Sequence, residues 1–246
     1  MSASRSALAA GLALGAAVVF AACDALPGKP KPGAHDVLPS QVVAFDGLYA
    51  RHCAGCHGVD GKLGAARPLN DPVYLALVPH ERLRQVIARG VPGTSQPAFA
   101  RTAGGDLTDA QIDALVQGLI NTWGRPEVAR DGELPPYGAP APGDAERGKA
   151  VFVVACAACH GLDGRGGPKG GSVVDPSYLA LVSDQGLRTT VIVGRPDLGM
   201  PDWRGYVRGQ PLSPEHVADV TAWLVAQRRP VPGRLPTIAD TPRPAR

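Results

Sequence analysis

Apolar positions recur with a helical period in two separate stretches of the chain. From 109 to 123, Ile112, Leu115, Val116, Leu119, Ile120 and Trp123 recur at three- and four-residue steps, which places them on one helix face. Thr108-Asp109-Ala110-Gln111 stands at the start of this stripe as a capping box. Val217, Val220, Trp223 and Leu224 make a second stripe, with Ser213 as its N-cap and Pro214 at the first helical position. Each stripe is preceded by a middle helix, over about His80 to Arg89 and about Asp184 to Val193, stopped by Gly90 and Gly194. Farther upstream lie two short amphipathic stretches, Phe45 to Cys53 and Glu146 to Cys156.

The two sets are copies of one unit. Asp71-Pro72-Val73-Tyr74-Leu75-Ala76-Leu77-Val78 matches Asp175-Pro176-Ser177-Tyr178-Leu179-Ala180-Leu181-Val182, an offset of 104 residues (71 to 175). At Cys53 and Cys156 the offset is 103 (53 to 156), so one residue has entered or left the intervening loop. The chain divides accordingly into 1–22, an apolar leader; 23–40, a Pro/Gly/Lys-rich tether; 41–124, a first domain; 125–143, a linker with five prolines; 144–229, a second domain; and 230–246, a Pro-rich tail. The expected fold class is all-α, in two tandem small helical bundles.

Each amphipathic stretch runs into a Cys-x-x-Cys-His pattern, at Cys53-Ala54-Gly55-Cys56-His57 and Cys156-Ala157-Ala158-Cys159-His160. This is the attachment pattern of a c-type haem. Two thiols three positions apart at a helix end can each form a thioether to one vinyl group, and the next histidine then lies under the iron. A thioredoxin-like pair or half a zinc site would need neither histidine, and no further cysteine pair is present to complete a zinc set. Two haem c groups are expected, on Cys53, Cys56, Cys156 and Cys159, with His57 and His160 as proximal ligands.

Composition fits that chemistry. The 246 residues include 31 glycines and 25 prolines but only 5% aromatics, a loop-rich make-up in which a haem supplies apolar mass. The formal charge of +3 points to neither nucleic acid nor an acidic surface as partner. The fifth cysteine, Cys23, follows a short leader bearing Arg5 and a long Ala/Leu/Gly/Val run, a secretory signal in form. Phe20-Ala21-Ala22-Cys23 resembles a bacterial lipobox, with Phe20 where Leu is commoner, so Cys23 is expected to carry lipid. The alternatives are an ordinary cleavage site and an uncleaved anchor; the run from Ala7 to Ala22 is short against the ~20 residues that a spanning helix needs. Asp24 favours retention at the inner membrane, which puts the domains on the periplasmic side.

Over residues 41–229 each unit resembles a class I cytochrome c domain, and the pair resembles dihaem members of that family. The resemblance implies a bundle whose first and last helices cross closely, a glycine of the first against an aromatic of the last. Gly148 and Trp223 match that pattern. In the first unit Phe45 takes the place of Gly148 and Gly118 that of Trp223, large-on-small turned into small-on-large. The resemblance also implies that a proline carbonyl after the haem motif orients the proximal histidine, a place filled by Pro68 in the first unit; Ser172 stands at the matching position in the second, which leaves the partner there open. Tyr74 and Tyr178 read either as core residues or as contacts to the haem propionates, and Trp203 as a wall of the second haem.

The sixth ligands differ. Of the two methionines, Met1 leaves with the leader, and Met200 lies forty residues after His160 (160 to 200), where the family's axial methionine loop falls. A thioether favours ferrous iron, so the second centre is expected to have the higher potential. Aligning Gly90 with Gly194 and Pro97 with Pro201 sets Gln96 opposite Met200. For the first iron three outcomes stand: ligation or gating by Gln96; a histidine, His80 or else His35 or His216; or an open or water-bound iron. His52 is a weaker candidate, beside Cys53 on the proximal side.

The expected function is electron carriage on the periplasmic side, between a quinol-oxidising complex or dehydrogenase and a reductase, oxidase or soluble carrier, as a free protein or as a subunit of a respiratory complex. No catalytic constellation outside the haems is visible, so the expectation is an electron-transfer protein and not an enzyme. The rival reading is a dihaem oxidoreductase, peroxidase-like or thiosulfate dehydrogenase-like, with catalysis at the methionine-lacking haem. A gas or redox sensor is a third reading.

Overall fold

The computed structural model describes residues 37–129 and 134–229. The leader, the lipobox with Cys23, His35 and the Pro-rich tail lie outside the described residues. Those from Ser40 onward form one compact unit. No strand occurs among them; the only β-type pairings are single bridges, Ala100 with Leu107 and Arg195 with Met200. The fold is all-α, as expected.

Each half repeats five helices. The first has α1 (Phe45–His52), α2 (Ala54–His57), α3 (Pro72–Leu77), α4 (His80–Arg89) and α5 (Asp109–Trp123). The second has α6 (Ala145–Ala155), α7 (Ala157–His160), α8 (Pro176–Leu181), α9 (Asp184–Val193) and α10 (Pro214–Ala226). The expected middle and last helices are present with their stop signals. Gly90 and Gly194 end α4 and α9 at φ 65° and 73°, backbone that a side chain would strain. The Thr108/Gln111 capping box opens α5, and Ser213 caps α10 with Pro214 behind it. His216 completes that second box, its Nδ1 accepting from the Ser213 N–H at 3.5 Å.

The short helices α3 and α8 are the repeated Asp-Pro motif itself. Asp71 accepts from the N–H groups of Val73 and Tyr74, and Asp175 from those of Ser177 and Tyr178. Proline at the first helical position needs no hydrogen-bond acceptor, which makes the pair a strong start signal even for six residues. Their periodicity is too short to have announced them.

The buried stripes pack as the pattern requires. Ile112, Leu115, Val116 and Leu119 sit in one core with Leu48, Tyr49 and Leu83. Val217, Val220, Trp223 and Leu224 sit in another with Phe152, Leu187 and Ile192. Full burial of such a side chain contributes about 1.5–3 kcal/mol. The crossing of α6 and α10 is close: a Cβ on Gly148 would lie 2.0 Å from the Asp219 carbonyl oxygen and 3.0 Å from Trp223 Cβ. Asp219 also ties the crossing by accepting from the Asp144 N–H at 2.7 Å and from Arg147 Nε at 2.8 Å.

The halves share a seam. Leu77 of α3 belongs to the core of the second half, with Val73 and Tyr74 packed against it. The segment after residue 133 is seated as well. Buried Arg188 donates to the carbonyls of Pro136 and Tyr137 at 2.8 and 3.1 Å, and Gln185 donates to the latter at 2.8 Å.

Candidate functional site

The two Cys-x-x-Cys-His patterns fold alike. Cys53 and Cys156 break α1 from α2 and α6 from α7, and a four-residue turn then carries the second thiol and the histidine. Backbone bonds fix each turn: Cys56 and His57 N–H to the Cys53 carbonyl, Cys159 and His160 N–H to that of Cys156. The four thiols are unpaired. Burial pushes Cys53 up to about 11 and Cys156 up to about 12, with the neighbouring thiol of each turn adding to it. A disulfide-exchange pair works with a depressed thiol, so the shift runs against thioredoxin-like chemistry.

Each histidine is held by its Nδ1. That of His57 lies 2.7 Å from the Arg67 carbonyl oxygen, and that of His160 lies 2.8 Å from the Gly171 carbonyl oxygen. With Nδ1–H donating to a carbonyl, Nε2 keeps its lone pair for a metal. Burial lowers the pKa of His57, the bond to the Arg67 carbonyl opposes that shift, and the Arg67 and Arg195 charges add to it. A Cβ on Gly170 would come within 2.7 Å of His160 Nδ1 and Cε1, so the loop closes tightly on that ring. Paired thiols beside an oriented imidazole fit a haem c in each half. Cys53, Cys56 and His57 would hold one, and Cys156, Cys159 and His160 the other.

The carbonyl expected from Pro68 is a correction. The acceptor is one residue earlier, Arg67, and in the second half, where the sequence left the partner open, it is Gly171. A residue before proline is pushed to extended backbone, which here presents the Arg67 carbonyl to the ring. Gly171 reaches the same place without a proline.

Met200 and Gln96 occupy matching backbone positions. The Arg195 N–H donates to the Met200 carbonyl at 3.0 Å, and the Val91 N–H donates to the Gln96 carbonyl at 3.1 Å. A Cβ on Gly194 would strike the Met200 and Pro201 carbonyls; one on Gly90 would strike those of Gln96 and Pro97. Both side chains are half-buried. The Gln96 amide donates to the Pro97 carbonyl at 3.4 Å. His80 is exposed at the first turn of α4, and His52 faces Asp106 at 3.7 Å and the Phe99 ring. Trp203 is buried, and Tyr74 packs against both cores.

Four residues at the seam escaped sequence reading. Arg67 Nη2 donates to Thr190 Oγ1 at 2.7 Å and to the Gly186 carbonyl at 3.0 Å. Arg195 pairs with Asp197 at 2.9 Å and reaches the Gly64 carbonyl at 3.4 Å. Asp197 in turn accepts from the Leu63 N–H at 3.1 Å, and Arg195 holds its carboxyl below the usual range. The loop after His57 is thus bonded to the loop that carries Met200. These partners lie more than a hundred residues apart, so no local pattern signals them.

The family model for cytochrome c oxidase, cbb3-type, subunit III, matches residues 41–117 and 143–224. A cbb3-type cytochrome c oxidase subunit CcoP from Rubrivivax gelatinosus is 30% identical over 203 residues, 80% of this chain and 58% of that protein. The FixPc subunit of Rhizobium leguminosarum bv. viciae is 30% identical over 165 residues, 63% of this chain and 51% of that protein. Among solved structures, a reducing HAO-like protein complex of Kuenenia stuttgartiensis aligns with a TM-score of 0.44 and 19% identity, over 75% of this chain and 96% of that one. The chain spans about half the length of the relatives named.

Proposed function

The chain belongs to the cbb3-type cytochrome c oxidase subunit III family of c-type cytochromes, and on that premise we propose that it is a dihaem electron carrier working on the periplasmic side of the membrane. It takes electrons from a quinol-oxidising complex or a dehydrogenase and passes them to a terminal oxidase, a reductase or a soluble carrier, as a subunit of a respiratory complex. Lipid on Cys23 anchors it. The observation that carries the reading is the duplicated turn in which each histidine is fixed through Nδ1 and each thiol pair is free. Among the described residues no helix is long and apolar enough to cross a membrane.

When bound, a haem c supplies an iron that cycles between ferric and ferrous states. The chain's own residues do the rest. Cys53 with Cys56, and Cys156 with Cys159, would attach the groups. Arg67 and Gly171 carbonyls hold the two imidazoles in one tautomer. Met200 would offer a thioether to the second iron, and the loop that carries it is clamped by the Arg195–Asp197 pair. Gln96, at the matching place of the first half, would offer only an amide, a harder and poorer ligand for haem iron than a thioether, so the first centre would have the lower potential. The seam keeps both sites in one compact unit.

The test is the full chain purified from a host that matures c-type cytochromes. Two porphyrins should survive denaturing electrophoresis, and a redox titration should show two one-electron waves. Loss of both porphyrins on denaturation sinks the proposal. A second reading, an oxidoreductase acting at the first haem, is favoured by the amide that stands in Met200's place. Rapid uptake of carbon monoxide or nitric oxide at one haem supports it, and no uptake removes it.

A further inference from the structure

Arg67 has two attachments of different kinds. Its carbonyl accepts from His57 Nδ1 at 2.7 Å. Its guanidinium is bonded to Thr190 Oγ1 and to the Gly186 carbonyl, both on α9 in the other half, at 2.7 and 3.0 Å. The same guanidinium stacks on Tyr74, 5.1 Å from the ring centroid. The residue in the matching place, Gly171, also bonds its histidine but has no side chain with which to reach anything. The tie to the opposite half therefore exists at one histidine and is missing at the other.

The surroundings make the tie stiff. Pro68 is buried behind Arg67 and restricts its backbone to extended conformations. The loop between His57 and Arg67 is pinned midway by the Leu63 N–H on Asp197 and by Arg195 on the Gly64 carbonyl. Thr190 is fixed in turn by donating its hydroxyl hydrogen to the Gly186 carbonyl at 2.9 Å. The Arg67 carbonyl thus cannot turn away from His57 unless its side chain leaves α9 or the loop moves with it.

We infer that Arg67 is a positioning residue: the second half, through Thr190 and Gly186, sets the hydrogen bond on His57 and so tunes the reduction potential of the haem that the first turn would hold. A hydrogen bond on the far nitrogen of a ligating histidine raises the basicity of the other nitrogen. A more basic ligand favours ferric iron, so the clamp lowers the potential of the first centre. Gly171 lacks the clamp, which makes the second centre an internal control. The inference rests on the dihaem reading above.

The experiment uses the full-length protein with its haems. Arg67→Lys keeps the charge but loses the planar fork. Thr190→Val removes one acceptor and leaves residue 67 intact. Met200→Ala assigns the redox waves, since it moves only the second. In both clamp variants the first wave should rise and the second stay in place. The double variant should shift no further than Arg67→Lys alone, because both changes cut one connection. An unmoved first wave in both variants, with thermal stability lowered, makes the contact a structural one and overturns the inference alone. Equal movement of both waves overturns it as well. Absence of covalent haem on Cys53 and Cys56 in the unaltered protein overturns the inference and the dihaem reading together.

Discussion

Phe45 packs directly against Gly118: a Cβ built on the glycine would come 2.1 Å from Phe45 Cδ2 and 2.3 Å from Cγ. The second half makes the same crossing with the sizes reversed, Gly148 of α6 against the backbone of Asp219 and the Cβ of Trp223. Helices can cross this closely only if one partner has no side chain, and the two halves have solved that requirement from opposite sides.

Gly118→Ala should therefore be costly despite alanine's better helix propensity. The methyl overpacks against an aromatic ring that has α1 behind it, and about 1–3 kcal/mol of stability should be lost. Adding Phe45→Leu should restore part of it. Denaturant unfolding of the two variants measures both; a single variant as stable as the parent would show that α1 slides freely over α5.

Gln96→Met should bring the first centre towards the second. A thioether favours ferrous iron, so the first redox wave should rise by more than the ~59 mV that corresponds to a tenfold change for one electron. Any uptake of carbon monoxide at that haem should fall. Met200→Ala should do the reverse at the second haem, lowering its wave and opening it to the gas. Redox titration and difference spectra read both, and an unmoved wave in either variant would remove that residue from the distal side.

Asp219 should govern stability in acid, below pH ~4. Hydrogen bonds from Arg147, then from the Asp144 N–H, hold its carboxyl below the usual range. A carboxyl depressed in the folded state stabilises fully above its unfolded value, near ~3.9, and that contribution goes as pH falls through the folded value. The parent should lose thermal stability over this window more steeply than Asp219→Asn, which has no charge to lose. Parallel melting curves through the window would count against the assignment.

Asp71 should act in the opposite sense. It is 2% exposed, its Oδ2 has no partner, and burial raises its pKa, with Asp202 of the second half adding to the rise. A carboxyl raised in the folded state costs stability while ionised, and the cost disappears as pH falls through the folded value. Asp71→Asn keeps an oxygen for the cap on Val73 and Tyr74. It should melt higher than the parent at pH 7, and the gain should vanish towards pH ~4. A lower melting temperature at pH 7 would mean that the charge is served by Arg67 more than burial penalises it.

Much of the fold was legible along the chain. The stripe from Ile112 to Leu119, the Thr108 and Ser213 caps and the stop at Gly90 are local signals, written within one or two helical turns. The two Cys-x-x-Cys-His turns are local too, because haem attachment would need both thiols and the imidazole on a few consecutive residues. Even the exchange of Phe45 with Gly118 was readable, since it follows from matching one half to the other. The short helices after Asp71 and Asp175 were not, because six residues carry too little periodicity. The acceptor of His57 was misplaced by one residue, because a carbonyl's direction depends on backbone angles that residue names do not state.

What the residues by themselves determined is the local and the repeated: helices, caps, two attachment turns, and a methionine in one loop where the other has glutamine. What the tertiary structure decided is everything that joins residues far apart. Trp123 and Trp223 are not matching positions, yet each points its Cη2 at the matching glycine, 2.8 Å from a Cβ on Gly61 and 3.2 Å from one on Gly164. Asp71 and Asp175 begin the same motif, yet one is buried and the other exposed. Arg67 meets Thr190 across the seam. The reason is physical: periodicity and capping act over a few residues of backbone, whereas burial and hydrogen-bond partners depend on which surfaces close over one another.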